Sequence, residues 1–405
     1  MDPSDENTAS LANMASLTIA ANLRSAPAFK KDLQEEAFEE SVEHEDEEDS
    51  ADAPSLRRVL AKVIRLEHVS KHPSAEHLNV AQIGGWKVVV APEEVAGTLG
   101  VFFEIDSVLP ADEEWVKAIR MPSKSMFQVR SVKIRGCLSQ GLFVGMHKLP
   151  LLCSGPVDEE KWLQQEDVTA ILGIMKRPEH VVRLNFKSYK HAQNVVRIPF
   201  SQVFPDGPCK TEEFRVQSFM HLLDAMMGKP YYITVKVDGM SATYGYDEGR
   251  GGLVACSRNY MVELEETLIG ELCKTYGLAE KLKEHPNLVI QGEAYGPPVN
   301  KNLLQAREVK LAVFNVYDKV RRRRLPYVEM VATCEMLKLP MVPLEEVGDN
   351  FQYTFDELLQ KAKGFYRGTK NHREGLVARC QEQYDGKGYL SFKVINNDYL
   401  LKHGH

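Results

Sequence analysis

A chain of 405 residues is too long for one ordinary core, so its length asks for two or three domains. Hydrophobic residues make up 43%, yet no apolar run approaches the roughly 20 residues of a membrane span, which excludes a helical membrane protein. The formal charge of −7 is uneven: residues 1–56 hold 15 acidic and three basic residues, a local −12 that leaves +5 on the remaining 349, a basic body compatible with a phosphate-rich partner.

The seven cysteines (Cys137, Cys153, Cys209, Cys256, Cys273, Cys334 and Cys380) are scattered and never spaced as C-x-x-C. That argues against a zinc ribbon or a disulfide framework and for a reducing compartment. The first residues carry neither an export signal nor a transit-peptide pattern, so an intracellular protein, cytoplasmic or nuclear, is expected. Residues 1–55 read as a disordered tail, since Glu35, Glu36, Glu39, Glu40, Glu43 and Glu45 to Asp49 leave little apolar surface to offset ordering.

Order begins near Arg57. Strand patterns follow at Val59 to Leu66, Leu78 to Ile83, Trp86 to Val90, Val101 to Ile105, Val132 to Gly136 and Gly141 to Gly145, divided by Gly-rich turns and the His72-Pro73-Ser74 loop. Short strands at this spacing predict a small β-barrel over residues 56–150. Val69 to Leu78 and Lys133 to Leu142 resemble oligonucleotide-binding (OB) barrels of the tRNA-binding kind. In such barrels basic residues track the nucleic-acid backbone, which makes Arg130, Lys133 and Arg135 the candidate RNA contacts. Residues 151–195 read as a linker with an amphipathic helix around Glu159 to Ile171, and a second domain runs over 196–405.

That domain holds the chemistry. In Tyr231 to Tyr244, strand alternation sends Ile233, Val235 and Val237 to one face and Thr234, Lys236 and Asp238 to the other, so an amine and a carboxylate project side by side before Gly239 turns the chain. Lys-x-Asp-Gly alone is a weak pattern. Downstream come Ser257-Arg258-Asn259, Gly292-Glu293-Ala294-Tyr295-Gly296, Val313 to Asp318, Glu374-Gly375-Leu376-Val377 and Ser391-Phe392-Lys393-Val394-Ile395. In this order the segments resemble the motifs of the covalent nucleotidyltransferases, the superfamily of ATP-dependent polynucleotide ligases and mRNA capping enzymes.

The resemblance implies an α+β fold: an N-terminal OB-type barrel, then a nucleotidyltransferase domain built on antiparallel sheets with flanking helices. It implies Lys236 as the nucleophile that takes AMP from ATP, helped by Lys393. A nucleophilic lysine must be neutral, which nearby cations bring about by lowering its pKa. Val235, Arg258, Glu293, Phe314 and Arg215 are expected around the nucleotide, with Glu293 at the ribose and Phe314 stacking on adenine. Asp238, Glu293 and Glu374 are the carboxylates expected to serve Mg²⁺ or Mn²⁺. Many relatives carry a lysine where this chain has Ser391, and Lys387 is the candidate substitute. Arg321 to Arg324 read as a solvated hairpin tip.

Only Asn396 to His405 follow the fifth motif, and the barrel comes first, which resembles the ATP-dependent RNA ligases with an N-terminal barrel. The expected activity is sealing of broken or nicked RNA with 3′-OH and 5′-phosphate ends through lysyl-AMP and an adenylated RNA end, in RNA repair. A cap guanylyltransferase is the first alternative. A non-catalytic RNA-binding protein with a degenerate transferase domain is the second.

Overall fold

The computed structural model describes residues 23–24, 58–118, 127–149, 152, 159–164, 166–177, 195–205, 207–208, 210, 212–384 and 388–403. It divides into two compact units, with the boundary between Pro178 and Glu179.

The first unit is built mainly of short antiparallel strands, with short helices at Glu114–Ala118 and Glu159–Gln164. Ala61–Arg65 pairs with Leu99–Phe103, which pairs with Leu142–Gly145, while His68–Lys71, Asn79–Ile83 and Trp86–Val90 form a meander. Alternating Ala61, Val63, Val101, Phe103, Leu142 and Val144 bury against Leu109, Trp115 and Phe127. The unit does not stop at the expected boundary of 150. Val168, Leu172 and Ile174 enter its core, and Met175–Lys176 adds a strand to Ser107–Leu109, so the expected linker belongs to this unit as far as residue 178. Val168, Leu172 and Ile174 supply the apolar surface, which lies in turns too short for a periodic pattern. Within the expected tail, Leu23–Arg24 pairs with Gln128–Val129 as a two-residue strand.

The second unit is built on two antiparallel sheets with helices on their outer faces, which is the expected α+β architecture. One sheet has four strands in the order Leu344–Gly348, Tyr231–Lys236, Gly375–Tyr384 and Gly388–Ile395. The other has seven, in the order Val195–Pro199, Tyr260–Val262, Gly252–Cys256, Met240–Asp247, Leu288–Tyr295, Lys310–Asp318 and Arg323–Arg324. Ile233, Leu376, Ala378, Phe392 and Val394 bury the back of the smaller sheet against Leu222 and Leu223 of helix Met220–Met226, Leu358 of helix Phe355–Ala362 and Phe351 in the segment just before that second helix. Thr354 opens the second helix with a capping box to Glu357. Helices Leu268–Tyr276, Leu278–Glu284 and Tyr327–Met336 cover the larger sheet through Leu272, Leu278, Leu282 and Met330. Among the described residues no helix is long and apolar enough to cross a membrane.

Candidate active site

The chain passes between the two sheets at Val237-Asp238-Gly239, and Gly239 lets it do so. A Cβ there would strike the Ala294 carbonyl oxygen and stand 2.7 Å from Glu293 Cγ. The strand Tyr231–Lys236 therefore ends at Lys236. Asp238, expected beside Lys236 on one strand, sits in the crossing instead, where Asn300 Nδ2 donates to its Oδ1 at 2.8 Å and to the Gly239 carbonyl at 3.0 Å.

Register then assembles the face of the smaller sheet. Gly375 lies opposite Lys236, Val377 opposite Thr234 and Arg379 opposite Tyr232. On the next strand Lys393 lies opposite Val377 and Ser391 opposite Arg379. Residues directly opposite share a face, so Thr234, Lys236, Arg379, Ser391 and Lys393 look into one cleft while their neighbours fill the core. Gly375 also needs to be glycine, because a Cβ would meet the Val394 carbonyl oxygen. Val235, expected at the nucleotide, sends its side chain to the core side with Leu303 and Tyr399, which leaves only its main chain to face a ligand.

Lys236 Nζ lies 2.8 Å from Glu374 Oε1 and 2.9 Å from Oε2. The sequence leads one to expect a lysine with a lowered pKa, and here the structure differs. Burial pulls the Lys236 pKa down, but Glu374, Glu293 and Asp238 outweigh it and hold the ammonium charged. The lowered lysine is Lys393, brought to about 8 by burial and then by repulsion from Lys236. Burial pushes Glu293 up to about 8 against the pull of Lys236, and Glu374 and Asp238 add to the rise.

Phe314 owes its aim to an irregularity. Gln291 faces Asn315 and Gly292 faces Val313, so Phe314 is the extra residue of a bulge in Lys310–Asp318. A bulge redirects one side chain. The Phe314 ring, packed near Val237, Ala312 and Val342, stands 5.8 Å from the Arg379 guanidinium. Arg258, in the turn after Gly252–Cys256, pairs with Glu212 at 2.7 Å. Arg215 is buried beside Lys393 through a parallel bridge, and its Nε donates to Gln217 Oε1 at 2.7 Å.

The three metal candidates are not a ready cage: among the described residues no three His, Cys, Asp or Glu side chains converge closely enough to hold an ion. Glu374 is engaged by Lys236 and Asp238 by Asn300. The donor set is nonetheless all oxygen, which suits a hard cation that takes one or two carboxylates and completes its shell with phosphate and water.

The pair Glu213 and Arg379 carried no signal in the sequence. Arg379 Nη2 and Nε donate to Glu213 Oε1 at 2.8 and 3.1 Å, and Ser391 Oγ donates to Oε2 at 2.5 Å. At this place in the fifth motif the chain thus has a serine bound to a buried ion pair. Lys387 lies outside the described residues. In the first unit Lys133 is exposed on its strand, and Arg135 is exposed at the tip of the hairpin Ser131–Ile134/Cys137–Gln140. Arg130 is turned onto Gln128 Oε1 at 2.7 and 2.9 Å. His72 locks this hairpin in place: Ser74 N–H donates to Nδ1 at 3.1 Å, which leaves Nε2 to donate to the Ile134 carbonyl at 3.0 Å.

A family model described as RNA ligase matches residues 229–395, and an OB-fold domain model matches residues 60–146. Residues 229–395 thus carry an RNA ligase domain. Searching curated proteins returns no match, but solved structures of the RNA ligase of Naegleria gruberi are similar to it. With pyrophosphate, that structure is 27% identical with a TM-score of 0.69, over 86% of this chain and 99% of that one. A lysine-to-alanine mutant with ATP and Mn is 26% identical at a TM-score of 0.69, covering 85% and 99%. A glutamate-to-alanine mutant with AMP and Mn is 26% identical at a TM-score of 0.70, covering 86% and 99%. The ligase described here thus has both expected parts, the OB fold first and the nucleotidyltransferase fold after it.

Proposed function

We propose that this ligase seals RNA 3′-OH and 5′-phosphate ends with ATP, through a lysyl-AMP on Lys236, and that it serves RNA repair inside the cell, in cytoplasm or nucleus. The observation that carries this reading is the Lys236 amine held by both Glu374 oxygens on the same sheet face as Lys393.

In the first step the Lys236 Nζ lone pair forms a bond to the α-phosphorus, and the bond to the bridging oxygen breaks with its electron pair leaving on pyrophosphate. The ammonium must first lose a proton, and Glu374 lies within transfer distance. Lys393 and Arg215 would hold anionic phosphate, Glu293 would meet the ribose hydroxyls, and the Phe314 ring would offer the base a face. Mg²⁺ or Mn²⁺ served by Asp238, Glu293 and Glu374 would neutralise phosphate charge. In the second step an RNA 5′-phosphate oxygen takes the adenylyl group and Lys236 recovers its proton. In the third, an RNA 3′-OH attacks the activated phosphate and AMP leaves. Positioning and electrostatics supply most of the acceleration in such transfers. Lys133 and Arg135 are the OB-fold residues that would follow the RNA backbone, with a smaller part for Arg130.

Incubation with α-labelled ATP and Mg²⁺ or Mn²⁺, followed by denaturing electrophoresis, tests the reading. Label should stay on the wild type, be acid-labile, and vanish in Lys236→Ala with the fold retained. Labelling by GTP in place of ATP would favour the guanylyltransferase, and equal sealing of all-DNA nicks would defeat the RNA assignment.

A further inference from the structure

A single hydroxyl ties together the backbone of three residues in this site. Tyr366, 4% exposed, stands in the loop between helix Phe355–Ala362 and strand Gly375–Tyr384. Its hydroxyl donates to the Lys236 carbonyl at 2.9 Å and accepts from the Asp238 N–H at 3.0 Å and the Glu374 N–H at 3.1 Å. A phenol has one donor and two acceptor positions, and all are used here on main chain. The need is physical. Asp238 leaves its strand for the crossing between sheets and Glu374 precedes the start of its own, so neither amide is carried by a ladder, and an unmet buried amide is costly.

The ring itself is fixed. It packs with Leu303 and Tyr399, Tyr366 N–H donates to the Asn371 carbonyl at 3.0 Å, and Asn371 Nδ2 donates to the Leu303 carbonyl at 2.9 Å. On the far side of Glu374, Asn396 Nδ2 holds the Arg373 carbonyl at 3.0 Å and Asn396 N–H holds that of Glu374 at 2.9 Å.

We propose that Tyr366 is a positioning residue for adenylyl transfer: its hydroxyl sets the Lys236 amine, the Asp238 carboxylate and the Glu374 carboxylate in mutual register without touching substrate. This rests on the adenylyl-transfer reading of the site. Three side chains on separate pieces of backbone hold their spacing only as well as those pieces are joined, and a misplacement near 1 Å can cost about a hundredfold in rate.

The test is single-turnover formation of labelled lysyl-AMP in Tyr366→Phe, which keeps the ring and removes only the O–H. The rate constant at saturating ATP should fall by about 10- to 100-fold, while the ATP concentration giving half the maximal rate stays nearly constant. Leu282→Ala, a core truncation elsewhere in the unit, should lower Tm at least as much and keep the rate constant per folded molecule. A wild-type rate constant in Tyr366→Phe, or a loss confined to ATP affinity, overturns the proposal. Amide hydrogen exchange on the wild type supplies a reading that needs neither activity nor a folded variant. The Asp238 and Glu374 amides should be protected together, and free exchange at either one refutes the tie. Absence of any labelling in the wild type indicts the ligase reading, and the exchange result still decides whether the hydroxyl joins the three segments.

Discussion

Removing Glu213 should show what a buried ion pair contributes beneath the nucleotide face. In Glu213→Ala the Arg379 guanidinium, 7% exposed at its side chain, loses both charged hydrogen bonds, and Ser391 loses its acceptor. Breaking one partner of a buried pair costs about 3–5 kcal/mol, because the other charge stays desolvated. Arg379 keeps Thr234 Oγ1 at 3.3 Å and the faces of Tyr232 and Phe314, so the low end, about 3 kcal/mol, applies. Urea unfolding at pH 7 measures it. The pH dependence adds a second arm. Burial would raise the Glu213 pKa, but Arg379 and then Arg324 outweigh it and hold it below the usual carboxylate value. A carboxylate with a lowered folded pKa stabilises fully above its unfolded pKa, and that contribution fades as pH falls through the folded one. The stability gap between wild type and Glu213→Gln should therefore narrow from pH 7 towards the acid limit. A loss under about 1 kcal/mol in Glu213→Ala, or a gap to Glu213→Gln that does not vary with pH, would refute the reasoning.

If Phe314 stacks on the base as proposed, Phe314→Ala should raise KM for ATP by about tenfold with little change in kcat, since the ring would contribute a stacking face worth roughly 0.5–1.5 kcal/mol beyond its area; initial-rate adenylylation reads both. Lys393, with a pKa of about 8 in the free protein, is charged below that pH and neutral above it, so ATP affinity should weaken as pH rises through about 8. Lys393→Arg should move that loss to higher pH, and equilibrium binding from pH 6.5 to 9.5 checks it. Ser391→Lys should destabilise by roughly 1.5–3 kcal/mol, the worth of a hydrogen bond to a charged group, because the hydroxyl that donates to Glu213 is lost and the new ammonium competes with Arg379 for the same carboxylate; thermal melts with adenylylation rates decide it.

Much of the second unit was legible in the sequence because its chemistry is carried by short strands with fixed side-chain alternation. Lys236, Glu293 and Lys393 lie in strands whose apolar neighbours mark them, and Phe314 and Glu374 lie in or next to such strands, which is where the structure puts the sheets. What escaped depends on contacts far apart in the chain. Glu213 meets Arg379 across 166 positions and Tyr366 meets Lys236 across 130, which no local pattern encodes. Asp238 was misplaced onto the strand because alternation cannot see the close approach of Gly239 to Ala294. In the first unit, Ser107–Leu109 and Phe127–Val129 have three residues each, too few for a period-two signal. The chain after Asp167 passes for a linker because its packing surface comes from Val168, Leu172 and Ile174 in turns.

The irregularity at Phe314 is a self-contained insertion. Two residues of Lys310–Asp318 answer one across the ladder, yet Leu311, Val313 and Val316 lie opposite Ala294, Gly292 and Ile290, alternate residues of the facing strand, and so share the core side on both sides of the bulge. Deleting Phe314 alone would straighten the strand into unbroken alternation and leave each half facing as it does now. The sheet can therefore shed this residue without inverting a side chain, and what the shortening would remove is the ring itself.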